Sequence, residues 1–500
     1  MLTRRELLRG IGGGIALGVI PSWARGGTVP CAGRTLSASA FASFRGSLSG
    51  DVLARGSELY EQHRRLYNLR FDARPLMVVR PRNAGDVSAT LQYAAQSGLP
   101  WAVKSGGHSY IGASGTNGLM MDMSLMRGVD PLGDGMYRIG PGARLKMVYS
   151  RLSCDGCTVP AGTCDTVGFG GIALGGGVGY LMRRDGLTLD RVRSMEVVLA
   201  DGRVVTASPT SESDLYWALR GAGGGNFGVV TGFDVESVPL RSLVLKGWRW
   251  SWSQAVAGFM RWQQVLASGA LPRDFVAFCS FSIDPSQPQP SCRAGVIGSG
   301  SQAALDAAAA LFIGGGGVAS WGAPYQWTLD APTCNATEPS EAARYKAKSA
   351  MLYAPMSSAG VESIRSALQQ RFDDARLLRT DYGAISFLSL GGAVGDIDDS
   401  ATAFSHRRAI ADVQFLAYWG SSAPQAAQAN LDWIRGAWSE SFPHISSGGA
   451  GCYVNYCDDD LAEDAWPDLY YGANLARLRQ AKAIYDPSDF FRGPQSIRLP

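Results

Sequence analysis

Ser105-Gly106-Gly107-His108-Ser109-Tyr110 and Ala161-Gly162-Thr163-Cys164-Asp165-Thr166-Val167-Gly168 are the two stretches that decide what this chain folds into. Each sets one nucleophilic side chain in a glycine-rich turn, where backbone can approach a ligand closely. Taken singly, His108 reads as a loop histidine and Cys164 as half of a disulfide. The chain has only four histidines, so one in so permissive a context calls for an explanation.

Five hundred residues exceed what one core organises, so at least two domains are expected. With 46% apolar and 18% charged residues the chain is globular rather than disordered. The net charge of +3, with no Lys/Arg stripe, gives no support for a nucleic-acid partner. Thr3-Arg4-Arg5-Glu6-Leu7-Leu8, the apolar run from Ile11 to Ile20 and Ser22-Trp23-Ala24 read as a twin-arginine signal peptide over 1–24. That apolar run is too short to cross about 30 Å of hydrocarbon, so no stable membrane anchor is expected. The expected destination is periplasmic or extracellular. Nine cysteines then suggest disulfides. If Cys164 holds a ligand, the remaining eight permit four bridges without proving any. Cys154-Asp155-Gly156-Cys157 lacks the second ligand pair of a zinc site and is left as a local disulfide or two separate structural cysteines. No metal is expected.

After a lead-in over 25–69, residues 70–239 alternate short strands and helices, an α+β pattern. Strands are expected at 76–80, 101–104, 118–124, 137–141 and 227–238. A hairpin turns at Asp201-Gly202, and helices are expected at 84–97 (buried face Val87, Leu91, Ala94, Ala95), 144–153 and 211–219. Gly168 to Ala173 and Gly223 to Gly228 match dinucleotide-binding glycine patterns, but neither has a strand before it and a helix after it. Backbone N–H groups of these glycines suit phosphate without that topology. Residues 240–450 change texture, with clustered tryptophans, alternating strands at 275–283 and 411–419, and helices expected at 340–350 and 359–373. A sheet with helices on one side is the natural architecture.

The two opening stretches resemble the attachment loops of berberine-bridge-enzyme-like flavoproteins of the vanillyl-alcohol-oxidase superfamily, and the resemblance runs from about Arg70 to the C-terminus. It implies a PCMH-type FAD-binding domain of two α+β subdomains over 70–239 and an inserted substrate domain of antiparallel sheet covered by helices over 240–450. A C-terminal segment, 451–500, returns to the FAD domain. It further implies FAD bound covalently through both His108 and Cys164. Ser105, Gly106, Gly107, Ser109, Gly162, Thr163, Gly168, Gly171, Gly175, Gly176, Gly177 and Asn474 are then the other cofactor-binding residues. In such proteins a tyrosine of the Tyr453-Val454-Asn455-Tyr456 strand takes the substrate proton, which points first to Tyr456 and then to Tyr453. A phenol near pKa 10 needs a cation or dipole to lower it, and no such partner is evident from sequence. Tyr110, two positions after His108, is expected at the flavin edge or substrate.

Gln414 stands where the ring-closing members carry a carboxylate base, which argues for oxidation of an alcohol or carbohydrate instead. Two departures from the family pattern are Asp412 in place of Lys and Val178 in place of Tyr. In relatives a small Val three residues after the linking Cys leaves room for O2, so at Val167 the resemblance implies an oxidase releasing H2O2. The expected activity is a secreted FAD oxidase acting on a small-molecule hydroxyl by hydride transfer, with an open, Trp-rich cleft suited to sugars. A secondary-metabolite tailoring oxidoreductase is the alternative, and a non-catalytic flavin-binding protein the third.

Overall fold

The computed structural model describes residues 37–283, 288–313, 342–377 and 381–500, with the backbone of 30–31, 34–35 and 319–321. The signal-peptide expectation, Cys334, Trp327 and the side chains of Cys31 and Trp321 lie outside the described residues. Three sheets of four or more strands carry the rest, beside two short two-stranded pairs. The first holds β1 (Asp51–Ala54), β2 (Met77–Arg80), β3 (Trp101–Lys104) and β4 (Leu119–Asp122) in the order β1-β2-β4-β3, with β2 and β3 parallel to β4. All four residues of β4 are buried, as a strand covered on both faces requires. Helix α1 (Ala84–Ser97) links β2 to β3; the Asn83 side chain caps its start and Gly98, in the left-handed region, ends it. Val87, Leu91 and Ala94 are buried as expected. Ala95 is exposed and Tyr93 occupies that face instead.

The second sheet is antiparallel, β8-β7-β9-β6-β5, from β5 (Val129–Gly133), β6 (Met136–Ile139), β7 (Val192–Val198), β8 (Val204–Ala207) and β9 (Val229–Glu236). Val198 pairs with Val204, so the hairpin turns over 199–203, with Gly202 at φ 86°. Helix α2 (Leu145–Ser153) and the short α3 (Phe169–Gly175) pack on it. The tail also docks here: Leu478 and Ala481 of α7 (Leu475–Tyr485) join the core that contains Leu215 and Phe233.

The third sheet has seven antiparallel strands in the order β13-β10-β12-β11-β15-β16-β14. They are β10 (Val244–Trp250), β11 (Phe275–Ile283), β12 (Ser291–Gly298), β13 (Ala319–Trp321), β14 (Arg344–Leu352), β15 (Tyr382–Ser389) and β16 (Ala411–Trp419). Helices α4 (Ala255–Ala267), α5 (Ser358–Asp373) and α6 (Pro424–Ile445) cover one face over a core of Trp248, Trp262, Phe259 and Phe387. The helix expected at 340–350 is a strand over its described part: β14 pairs with β16 from Arg344↔Trp419 to Leu352↔Ala411. Among the described residues no helix is long and apolar enough to cross a membrane, and no disulfide is formed. Cys154 and Cys157 bond separately to the carbonyls of Ser150 and Leu152.

Candidate active site

The uncovered face of the seven-stranded sheet and the two smaller sheets enclose a cavity of about 1020 Å³. The two opening loops meet on its wall, backbone against backbone. A Cβ on Gly106 would lie 2.2 Å from the Gly168 nitrogen, and one on Gly168 would lie 2.0 Å from Ser105 Oγ. Only glycine permits that approach. Ser105 donates to the Pro141 carbonyl. The Cys164 loop is clamped by α2: Leu145 N–H donates to Val167 O, Lys146 N–H to Asp165 O, and Tyr149 Oη to Gly162 O.

His108 is held between a stacked Tyr67 ring, 3.8 Å away, and Thr166, whose Oγ1 lies 3.0 Å from Nε2. Burial and the Arg144 charge push its pKa down to about 3, so the imidazole is neutral. In the tautomer whose Nε2–H donates to Thr166, Nδ1 presents its lone pair. A neutral imidazole and a cysteine on one cavity wall are a donor set suited to covalent attachment. Farther along, Gly223-Gly224-Gly225-Asn226 line the cavity, with Gly223 and Gly225 at φ 78° and 83°. Such turned backbone makes a concavity suited to a diphosphate. The residues present fit FAD.

Two residues after His108 in the same loop, Tyr110 accepts from Gln414 Nε2 at its Oη, and the Tyr110 ring lies parallel to Tyr456 at 5.2 Å. Tyr453 crosses Tyr456 at 78°, with its hydroxyl turned away to accept from Gly177 N–H (2.8 Å) and Asn455 Nδ2 (2.9 Å). Burial raises the Tyr453 pKa despite those donors, and Asp412 raises it further. Asp412 is the one carboxylate among the described residues that line the cavity, and burial pushes it up to about 7.

Ser105, Gly106, Gly107, His108, Ser109, Tyr110, Gly162, Thr163, Cys164, Val167, Gly168, Gly171, Gln414, Tyr453 and Tyr456 all line this cavity. Four expected cofactor residues do not. Gly175, Gly176 and Gly177 pack against Asn455, Tyr453 and Thr188 instead; a Cβ on Gly176 would sit 2.7 Å from Tyr453 Oη. Asn474 donates to the carbonyls of Asp399 and Thr402, tying the tail to the loop before β16. The tyrosine strand is a 3-10 turn, Val454–Tyr456. Among the described residues no Trp-rich cleft forms: Trp248, Trp250 and Trp262 fill the sheet–helix core, and Trp101 is the tryptophan that reaches the cavity. Asp412 was visible in sequence as a departure but not as a site residue. Its separation of two from Gln414 on an alternating strand puts both on one face.

Comparison with known proteins agrees with this geometry. Residues 75–208 match the FAD binding domain family and residues 452–498 the family described as berberine and berberine like. The chain is 30% identical to the FAD-linked oxidoreductase YgaK of Bacillus subtilis, across 90% of this chain and 97% of that one. It is 31% identical to a chitooligosaccharide oxidase of Gibberella zeae, across 89% and 92%. A solved chitooligosaccharide oxidase structure superposes with a TM-score of 0.80 at 28% identity, covering 92% of this chain and 100% of the other. The chain therefore belongs to the berberine-bridge-enzyme-like FAD-linked oxidoreductases and is an FAD-dependent enzyme.

Proposed function

We propose that the protein is an exported oxidase that binds FAD covalently through His108 and Cys164 and oxidises a hydroxyl group of a carbohydrate or alcohol, with O2 as acceptor and H2O2 as product. The observation that carries this is the convergence of the His108 loop, the Cys164 loop and the Tyr110–Tyr456–Gln414 group on one cavity. FAD, when bound, supplies the hydride acceptor. The chain's own residues supply the rest. Tyr456, half-buried on the cavity wall, accepts the hydroxyl proton as its phenolate and becomes the neutral phenol, while Gln414 fixes the neighbouring phenol and cannot itself act as a base. Tyr453 positions Tyr456 rather than acting as the base, because burial raises its pKa and its oxygen is tied to Gly177 and Asn455. Asp412 lines the same cavity, and its charge acts on the neighbouring Tyr453 by raising that phenol's pKa. Val167, half-buried on the same wall, leaves room for O2, and the twin-arginine-like leader supports export.

Denaturing gels test the attachment. Flavin fluorescence should stay with the wild-type band in SDS, persist in H108A and in C164A singly, and vanish in H108A/C164A. A colourless wild-type band would reject covalent binding. Peroxide release from the purified holoenzyme with oligosaccharides and alcohols tests the activity, and reduced enzyme that fails to reoxidise in air would reject the oxidase assignment.

A further inference from the structure

Beyond α7 the described residues form no helix or strand, yet every residue from Phe490 to Ser496 lines the cavity. Asp489, Arg492 and Ser496 close short turns onto the carbonyls of Asp486, Phe490 and Gly493, so within the segment the backbone bonds stay local. Side chains fix it to the rest of the molecule. Phe490 stacks on Trp101 of β3 at 5.0 Å, and Phe491 meets the same ring edge-on at 5.4 Å. At the other end Ile497 N–H donates to Asn226 Oδ1 at 2.8 Å. Asn226 ends the glycine loop 223–226 that precedes β9, so the segment runs along the cavity wall from the first sheet to the second.

One buried cation joins the segment to that loop. Lys482 of α7 is completely buried, and its Nζ donates to Asn226 O (2.9 Å), Phe491 O (3.0 Å) and the Asp486 carboxylate (2.6 Å). Asp486, also completely buried, accepts in turn from the N–H groups of Phe490 and Phe491. Gln495 is held at a third place, donating to Asp458 O and accepting from Tyr470 Oη. Asp489 and Gln495 have φ of 50° and 53°, two of the four non-glycine residues with left-handed backbone among the described residues. Such backbone persists only where its surroundings over-determine it. Without the Lys482 and Gln495 contacts, the segment has little of its own to keep it in place.

We propose that residues 486–497 are a strap whose docking is coupled to FAD, with Lys482 as the positioning residue that joins strap and glycine loop. A ligand shifts such an equilibrium only by what it gains from the favoured form. The gain here is the docked strap itself, which supplies the cavity wall between Trp101 and Asn226 and the Ile497 bond to Asn226. By linkage the cofactor holds the strap as firmly as the strap holds the cofactor. Occupied protein therefore keeps the strap docked, and empty protein releases it. The proposal needs bound FAD but neither the covalent bonds nor the oxidase activity, which are tested separately.

Hydrogen exchange of amides in peptides covering 486–497 reads the strap, and peptides covering 411–419 of β16 report the rest of the fold. The protein is full-length H108A/C164A, stripped of flavin and then refilled with FAD, so that loading is reversible. Stripping should speed strap exchange roughly tenfold or more, and saturating FAD should restore it, with 411–419 protected throughout. K482M in the same background should leave the strap fast even at saturating FAD and should release FAD faster. Strap exchange that ignores FAD, strap and β16 losing protection together, or a K482M protein whose strap FAD still protects would overturn the proposal.

Discussion

Asp412 carries a carboxylate that the surrounding core pushes up to about 7, far above the usual value of 3.8. Two consequences follow from the sign of that shift. Between about pH 4 and 7 the native state holds a proton that the unfolded chain has released, so stability present below the unfolded value is lost as pH rises through 7. The Tm of wild type should therefore fall across that interval, and the Tm of D412N should lose that slope. For activity, an ionised Asp412 raises the pKa of the neighbouring Tyr453 and opposes a phenolate in the cavity, so kcat should fall as pH rises through 7 in wild type, and this limb should disappear in D412N. Loss of a positioned proton acceptor costs about 10²- to 10⁴-fold, the drop in kcat expected for Y456F with little change in KM. A Y456F enzyme with unaltered kcat would move the base elsewhere.

At the scale of the element, the glycine run that ends α3 shows how the site is held. Gly176 has φ 150°, and its missing side chain leaves the space occupied by Tyr453 Oη. G176A should therefore displace Tyr453 from its bond to Gly177, costing about 1–3 kcal/mol in stability and lowering kcat through the neighbouring Tyr456. Denaturant midpoints and steady-state rates on the flavin-loaded variant check both. The His108 and Cys164 loops were legible in sequence because their chemistry is local: a nucleophile within a few residues of several glycines. The roles of Gly175 to Gly177 were not, because the partner tyrosine lies some 280 residues away in the chain. β14 misled for a related reason. Arg344-Tyr345-Lys346-Ala347-Lys348-Ser349-Ala350 has helix-forming composition, yet the segment is buried along nearly its whole length as a strand. Its two lysines, on one face at a spacing of two, are neutralised by Asp458 and Asp460, with Asp459 also on Lys346. Tertiary charge supplied from the tail overrides the local preference.

Across the whole molecule, the cavity exists only while the seven-stranded sheet stays docked on the flavin-binding sheets, and buried cations hold that junction. Arg183, just after the glycine run, donates to the carbonyls of Phe275, Leu271 and Leu390 from the far side. Arg407, in the loop before β16, is completely buried and makes a two-pronged pair with Asp190, both contacts at 2.8 Å, with Thr402 filling a further bond. Asp190 in turn accepts from Leu187 N–H at the turn that follows Gly177. Removing one partner of such a pair leaves the other charge desolvated, which costs about 3–5 kcal/mol, whereas removing both sacrifices much less. R407M should therefore lower the denaturant midpoint strongly, and D190N/R407M should recover a substantial part of the loss. If the pair holds the junction, flavin should become solvent-accessible in R407M at denaturant concentrations where far-UV ellipticity is still native, and accessibility to iodide quenching would report it. Coincident transitions for fluorescence and ellipticity in R407M would show instead that the two bodies unfold as one and that the pair stabilises the molecule without acting as its hinge.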